Sequence, residues 1–287
     1  MLGHQIADIL ENTTHNVFVT LRDKKKCDNI SKFYFDANED AEENLSRIIS
    51  DVSPEYIVNC IGVIKQVVDE SKVKDRLSLI KVNAELPHLI ASVIENSSIR
   101  VIQIATDCVF NGQDGNYSEQ SNHNAEDLYG ITKSIGEIDS LNFLNLRCSI
   151  IGTEIDSKGS LLSWVLSQEK GAAISGYVDH YWNGITTLAF GKIVLGLINK
   201  GTWEAGTWHI VPADQLTKCQ LVTLIAEKFD RGDLCIKPVT ASTAINRTLI
   251  TTSPENSAEL WVGGGYSEVP KIDFLIDELR LAWKGPQ

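Results

Sequence analysis

Short apolar runs alternate with longer amphipathic stretches through the first half of the chain. Runs at 17–21, 32–35, 56–60, 100–105 and 144–150 are rich in Val, Ile, Leu and Phe and are bounded by polar residues, the pattern of buried strands. Helical periodicity covers 5–10, 40–51, 74–96, 124–141, 161–166, 187–200 and 217–229. Pro87 falls inside one of these stretches and predicts a kink or a late start there. Strands alternating with helices give an α/β fold, a parallel sheet covered on both faces. After residue 152 the alternation breaks. Residues 177–187 read as a loop of aromatic and polar groups around Trp182, either a surface for the apolar face of a sugar or an ordinary surface loop.

In an open parallel sheet, ligands gather at the carboxyl ends of the strands. Asn59-Cys60, Thr106-Asp107 and Ser149-Ile150 all fall at such ends. The second pair opens the run Thr106-Asp107-Cys108-Val109-Phe110-Asn111-Gly112, and Tyr129 and Lys133 follow on a predicted helix. Four residues apart, their side chains share one helix face. A Lys ammonium beside a phenol lowers the phenol's pKa, giving a group that exchanges a proton near neutral pH. Reduction of a ketone leaves negative charge on one oxygen, and two placed donors, a hydroxyl and a phenol, answer that need. Asp107 either orients a substrate or caps the next turn.

With these residues the chain resembles the extended short-chain dehydrogenase/reductases, and within them the dTDP-4-dehydrorhamnose reductase branch. The resemblance runs from residue 1 to about 250 and is densest between Val58 and Gly152. It implies a Rossmann-type doubly wound parallel sheet over residues 1–152 that binds NADP or NAD. A smaller C-terminal substrate-binding region, 153–287, is partly interleaved with that core. Thr106, Tyr129 and Lys133 fall on the family's catalytic Ser/Thr, Tyr and Lys. Lys133 would also bond the nicotinamide ribose, and Asp36 falls where the family places an acid near the adenine. Arg22, with Lys24 nearby, points to the extra phosphate of NADP, whereas Asp23 points to the ribose hydroxyl of NAD. The segment 245–249 resembles one that contacts the nucleotide sugar, where Arg247 either clamps a diphosphate or makes a surface ion pair.

The family opens with a strand and a Gly-x-x-Gly-x-x-Gly loop. Here Met1-Leu2-Gly3-His4 matches only its tail, with Gly3 as the third glycine. The first strand and two glycines are then missing through a late-placed start, an alternative start or a truncation, or else Met1 is the true start and the likeness is chance. Without that strand the expectation is two open inner strand edges, weak cofactor binding and a tendency to aggregate.

The expected activity is NAD(P)H-dependent reduction of a nucleotide-activated 4-keto-6-deoxy sugar in surface polysaccharide synthesis. Epimerisation of a nucleotide sugar would share the catalytic residues. A non-catalytic reading also stands, since the regulatory subunit of methionine adenosyltransferase looks like this family.

Composition narrows the setting. A net charge of −12 argues against nucleic-acid binding, and Lys24-Lys25-Lys26 is too short a basic run to change that. The 287 residues hold no apolar run long enough to cross a bilayer and no secretory signal. Cysteines 27, 60, 108, 148, 219 and 235 lack metal-ligand spacing and read as thiols in a reducing, cytoplasmic setting. Histidines 4, 15, 88, 123, 180 and 209 show no ligand-like pairing, so no metal site is expected. A homodimer is compatible with all of this.

Overall fold

The computed structural model describes residues 1–287 except 28, 155–158, 284, 286 and 287. Its first part runs α1 (Leu2–Glu11), β1 (Val19–Leu21), β2 (Lys32–Tyr34), α2 (Ala41–Val52), β3 (Tyr56–Asn59), α3 (Val73–Leu79), α4 (Leu86–Val93), β4 (Arg100–Thr106), α5 (Leu128–Ile135) and β5 (Phe143–Cys148). Then follow β6 (Ile150–Ile151), α6 (Leu161–Leu166), β7 (Ala173–Tyr177), β8 (His180–Trp182), β9 (Ile185–Thr186), α7 (Thr187–Lys200) and β10 (Gly206–His209). The chain closes with β11 (Leu216–Thr217), α8 (Lys218–Lys228), β12 (Cys235–Val239), β13 (Ile245–Asn246), α9 (Pro254–Gly263) and α10 (Ile272–Ala282).

Strands β3, β4, β5 and β10 form one parallel sheet in the order β10-β5-β4-β3, and β1 pairs in parallel with β2. Among the described residues β1 bonds only to β2 and β3 only to β4.

Alternate residues of the central strands face opposite layers. Val101 and Phe143 pack with Leu45 and Ile48 of α2 and Leu86 and Ile90 of α4. Their neighbours Ile102 and Leu144 pack with Leu2, Ile6 and Leu10 of α1 and Phe190, Ile193 and Val194 of α7. A third core joins α6, α8 and α10 to β7 through Leu162, Ile174, Leu221, Ile225 and Ile276. Strand β10 and helix α7 come from beyond residue 152 yet complete the first sheet and its cover.

Several predicted elements differ in detail. The stretch 74–96 is two helices joined by a π-helical segment, Ile80–Glu85, which inserts ahead of Pro87 and absorbs its missing N–H. The helix expected over 124–141 is confined to Leu128–Ile135. The Asp127 side chain accepts the Gly130 N–H at its start, and Gly136 ends it. The loop expected over 177–187 instead contains β8 and β9. Strand β8 is fixed between antiparallel β11 and parallel β13, partners that lie far along the chain and leave no local signal. Among the described residues no helix is long and apolar enough to cross a membrane.

Beneath the ends of β5 and β10 lies a buried charge network. Arg147 donates to both Glu137 carboxylate oxygens, at 3.0 and 2.5 Å, and sits 5.3 Å from the Phe110 ring. It also donates to His209 Nε2 at 2.7 Å. A guanidinium only donates, so Nε2 is an acceptor and the His209 proton resides on Nδ1, which donates to the Ile250 carbonyl at 2.7 Å. Burial, and then the Arg147 charge, push the His209 pKa down to about 4. The unfolded chain therefore binds more protons than the folded one between pH 4 and 6.5, and stability falls as pH drops through that window. From pH 7 to 5 this one group should cost about 2 kcal/mol, several degrees of melting temperature. Melting curves at both pH values should show a smaller acid loss in His209→Gln than in the native chain; equal losses would remove His209 as the cause.

Candidate active site

Strand β4 carries Thr106 to its carboxyl end, where the residue caps a 3-10 turn, Asp107–Val109. The Thr106 hydroxyl accepts the Cys108 N–H at 3.2 Å and donates to Asp107 Oδ1 at 3.1 Å. Thr106 and Asp107 are both buried. Asp107 thus orients the Thr106 proton as well as opening the turn.

Helix α5 is laid directly on this turn. A Cβ at Gly130 would stand 2.3 Å from the Cys108 carbonyl oxygen, and one at Gly136 would stand 2.0 Å from the Asn83 carbonyl oxygen. Asn83, buried in the π-helical segment, is pinned in turn by accepting the Val63 N–H and donating to the Val63 carbonyl, each at 2.9 Å. This close seat brings the Tyr129 phenol to Thr106, whose hydroxyl lowers its pKa. Burial dominates, however, and with the negative surroundings of Cys108, Asp107 and Asp127 raises the phenol above its ordinary value. The expected lowering by Lys133 is therefore not what the structure has. Lys133 donates to the Ile104 carbonyl at 2.7 Å, and burial brings its own pKa down to about 8. At neutral pH the phenol is fully protonated, the form that a proton donor needs.

The remaining predicted residues fall into two groups. Asn59 is turned inward, donating to Gln103 Oε1 at 2.8 Å across the β3–β4 pair and accepting the Ile61 N–H at 3.2 Å. Beyond it, α1 rests on Cys60: a Cβ at Gly3 would be 3.1 Å from the Cys60 Cβ. That is the close helix–strand packing asked of the third glycine in a dinucleotide-binding turn. Burial pushes the Cys60 thiol up to about 12, so it is uncharged. At the ends of β1 and β2, Arg22 and Asp36 come within electrostatic reach. Asp36 has a lowered pKa, chiefly from the Asn38 N–H and with a contribution from Arg22. Asp23 spends its carboxylate on the Lys25 N–H at 3.0 Å, capping the Lys24–Lys26 turn. Lys24 lies over the Tyr34 ring at 4.3 Å. Arg22 is left exposed.

On the other side of Thr106, Arg247 donates its Nε to the Phe110 carbonyl at 2.7 Å. Its two Nη groups are without a partner among the described residues. Gly112, at φ +84°, makes room for this approach, because a Cβ there would press on Ile245 and Arg247. Trp182 does not present a ring for sugar stacking. It is buried, with its indole N–H donated to Ser149 Oγ at 2.8 Å. The sequence reading overlooked Lys218, whose ammonium lies 5.4 Å from the Trp182 ring centre. Thr217 and Gln220 do announce a helix start there, but only the pairing of β11 with β8 sets Lys218 beside Trp182.

Comparison with known proteins identifies relatives of this chain. A family model described as "RmlD substrate binding domain" matches residues 1–258. Methionine adenosyltransferase 2 subunit beta of rat is 25% identical over 213 residues, 71% of this chain. The chain spans 63% of that relative's length. A dTDP-4-dehydrorhamnose reductase from Bacillus anthracis, solved with NADP, superposes with a TM-score of 0.76 at 17% identity over 98% of this chain and 95% of its own. The Bordetella bronchiseptica enzyme WbmG, solved with NAD and UDP, also gives 0.76, at 14% identity over 99% of this chain and 90% of its own. The doubly wound fold is common to all of these solved structures.

The seat of α5 is open to direct test. Gly130→Ala must push α5 off the Cys108 carbonyl, and should cost about 1–3 kcal/mol while displacing Tyr129. Thermal melting should show this loss; an unchanged midpoint would mean the helix has slack that the structure does not show.

Proposed function

The chain belongs to the RmlD substrate binding domain family, and on that premise we propose that it reduces the keto group of a nucleotide-activated 4-keto-6-deoxy sugar with NADPH. The observation that carries this reading is one constellation: a buried Thr106 hydroxyl, the Tyr129 phenol and Lys133, gathered at the end of β4 by the close seat of α5.

The residues present fit a dinucleotide. Gly3 packs α1 against Cys60 beside the carboxyl end of β3, and Arg22 and Asp36 meet at the ends of β1 and β2. When bound, the reduced nicotinamide supplies the hydride. The chain's own groups do the rest. The Thr106 hydroxyl, turning its proton from Asp107 Oδ1 to the carbonyl oxygen, and Tyr129 hold that oxygen between two donors, and the Tyr129 phenol gives it its proton. Lys133, whose ammonium now donates to the Ile104 carbonyl, would hold a ribose hydroxyl of the dinucleotide. Asp23 is committed to a cap, so Arg22 is the group available for a 2′-phosphate, which favours NADPH over NADH. The open fork of Arg247 suits a diphosphate. We assign substrate recognition to the region after residue 152, together with the 110–125 excursion it packs against.

A second reading has one observation in its favour. The sequence relative named above is subunit beta of methionine adenosyltransferase 2, so a non-catalytic partner role is the alternative. Turnover separates the two. With a dTDP-4-keto-6-deoxyhexose and NADPH, Tyr129→Phe should lose about 100-fold or more in kcat, with NADPH affinity changed less than about threefold. Native-like turnover in Tyr129→Phe would remove the phenol as acid, and a native chain that binds NADPH without turning over would favour the regulatory reading.

Cofactor choice is tested separately. Fluorescence titration should show NADPH bound at least about tenfold more tightly than NADH, with the preference lost in Arg22→Ala. A preference for NADH would return the choice to Asp23.

A further inference from the structure

Among the described residues Lys218 is a cation without an anionic partner. It is the first residue of α8, whose start is locked by a reciprocal cap between Thr217 and Gln220. Strand β11 fixes it further, because Leu216 pairs with Trp182 and Thr217 with Tyr181. The side chain lies over the indole of Trp182, which is itself tied to Ser149 at the end of β5. Among the described residues no acceptor lies within hydrogen-bonding reach of its ammonium. The lysine is only half-buried by accessible surface, yet burial lowers its pKa while Asp107 and Cys108 act to raise it. Its ammonium therefore stands over Trp182 and beside Ser149, the residue after Cys148, which pairs with Thr106 in the sheet.

The two charges restrict what can lie between them. Asp107 offers only an acceptor, and one oxygen already takes the Thr106 proton. A diphosphate placed there would meet a carboxylate, and an amine would meet an ammonium. A neutral hydroxyl, which donates and accepts at once, suits both. Adjacent oxygens on a sugar ring lie about one hydrogen-bond length apart, which is also the spacing of Thr106 Oγ from Asp107 Oδ1, 3.1 Å.

We propose that Lys218 is a substrate-binding residue of this site, donating to the sugar hydroxyl next to the keto carbon while that hydroxyl donates to Asp107. Arg247 and Lys218 then divide the ligand, the guanidinium taking the diphosphate and the ammonium the sugar. Ser149 and Trp182 act beneath as positioning residues, keeping Lys218 over the ring instead of out in solvent. This assignment rests on the nucleotide-sugar reading above and adds the part of the substrate that the reading leaves unspecified.

The test compares two ligands on three proteins: dTDP-L-rhamnose and dTDP, titrated calorimetrically into the native chain, Lys218→Met and Lys218→Arg in the presence of NADPH. The methionine variant keeps the side-chain volume over Trp182, and its melting temperature is recorded alongside. Lys218→Met should bind dTDP-L-rhamnose about tenfold or more weakly and dTDP as tightly as the native chain does, with Lys218→Arg recovering part of the loss. Equal weakening for both ligands would move the contact to the diphosphate and overturn the assignment, as would unchanged sugar affinity. A loss in Lys218→Met with a lowered melting temperature, and none in a folded Lys218→Arg that binds dTDP normally, still supports it through the retained charge. If the native chain binds neither ligand, the nucleotide-sugar reading itself fails, a result distinct from a variant effect.

Discussion

Helix α5 lies so near the turn after β4 that a methyl group at residue 130 would collide with the Cys108 carbonyl, and one at residue 136 with that of Asn83. Two glycines, under two turns apart, thus seat α5 against the turn after β4 and against the π-helical segment. The consequence is chemical. Pressed against the turn, the phenol of Tyr129 loses water and gains the hydroxyl of Thr106 as a neighbour, while Lys133 reaches the backbone of β4 beneath it. The seat that gathers Thr106, Tyr129 and Lys133 admits no side chain at residue 130.

A second set of constraints is electrostatic. Arg147, Glu137 and His209 form a buried network under the strand ends. His209 passes it to the Ile250 carbonyl, and Phe110, lying under Arg147, stacks on Tyr117 at 4.3 Å. Phe110 also accepts from Arg247 through its carbonyl. The excursion after Thr106 and the segment before α9 are therefore coupled to the sheet through charges that water cannot reach. Breaking one partner of such a network leaves an uncompensated charge, so its members act as a unit.

The parts legible in the sequence are those written by local chemistry. Apolar runs marked β3, β4 and β5 to within a residue or two, and the spacing of Tyr129 and Lys133 marked one helix face. Gly3 could be read as a packing glycine because its neighbours match a known turn. Other features depend on partners far along the chain. Strands β8, β11 and β13 are short and belong together only in three dimensions, so Trp182 looked like an exposed ring and Lys218 drew no notice. The pKa of Tyr129 also escaped, because spacing places Lys133 on the right face without revealing that its ammonium turns to the Ile104 carbonyl.

The central claim is that this constellation delivers a proton to a carbonyl oxygen as the carbon is reduced. Its most direct measurement is the fate of an isotope: a dTDP-4-keto-6-deoxyhexose incubated with the chain and NADPH deuterated on the transferable face of its nicotinamide. The account predicts a 6-deoxyhexose product with deuterium at sugar C4 and loss of the carbonyl carbon signal. Recovery of unreduced keto sugar, with or without exchange at its other carbons, by a folded chain shown to bind NADPH would contradict it.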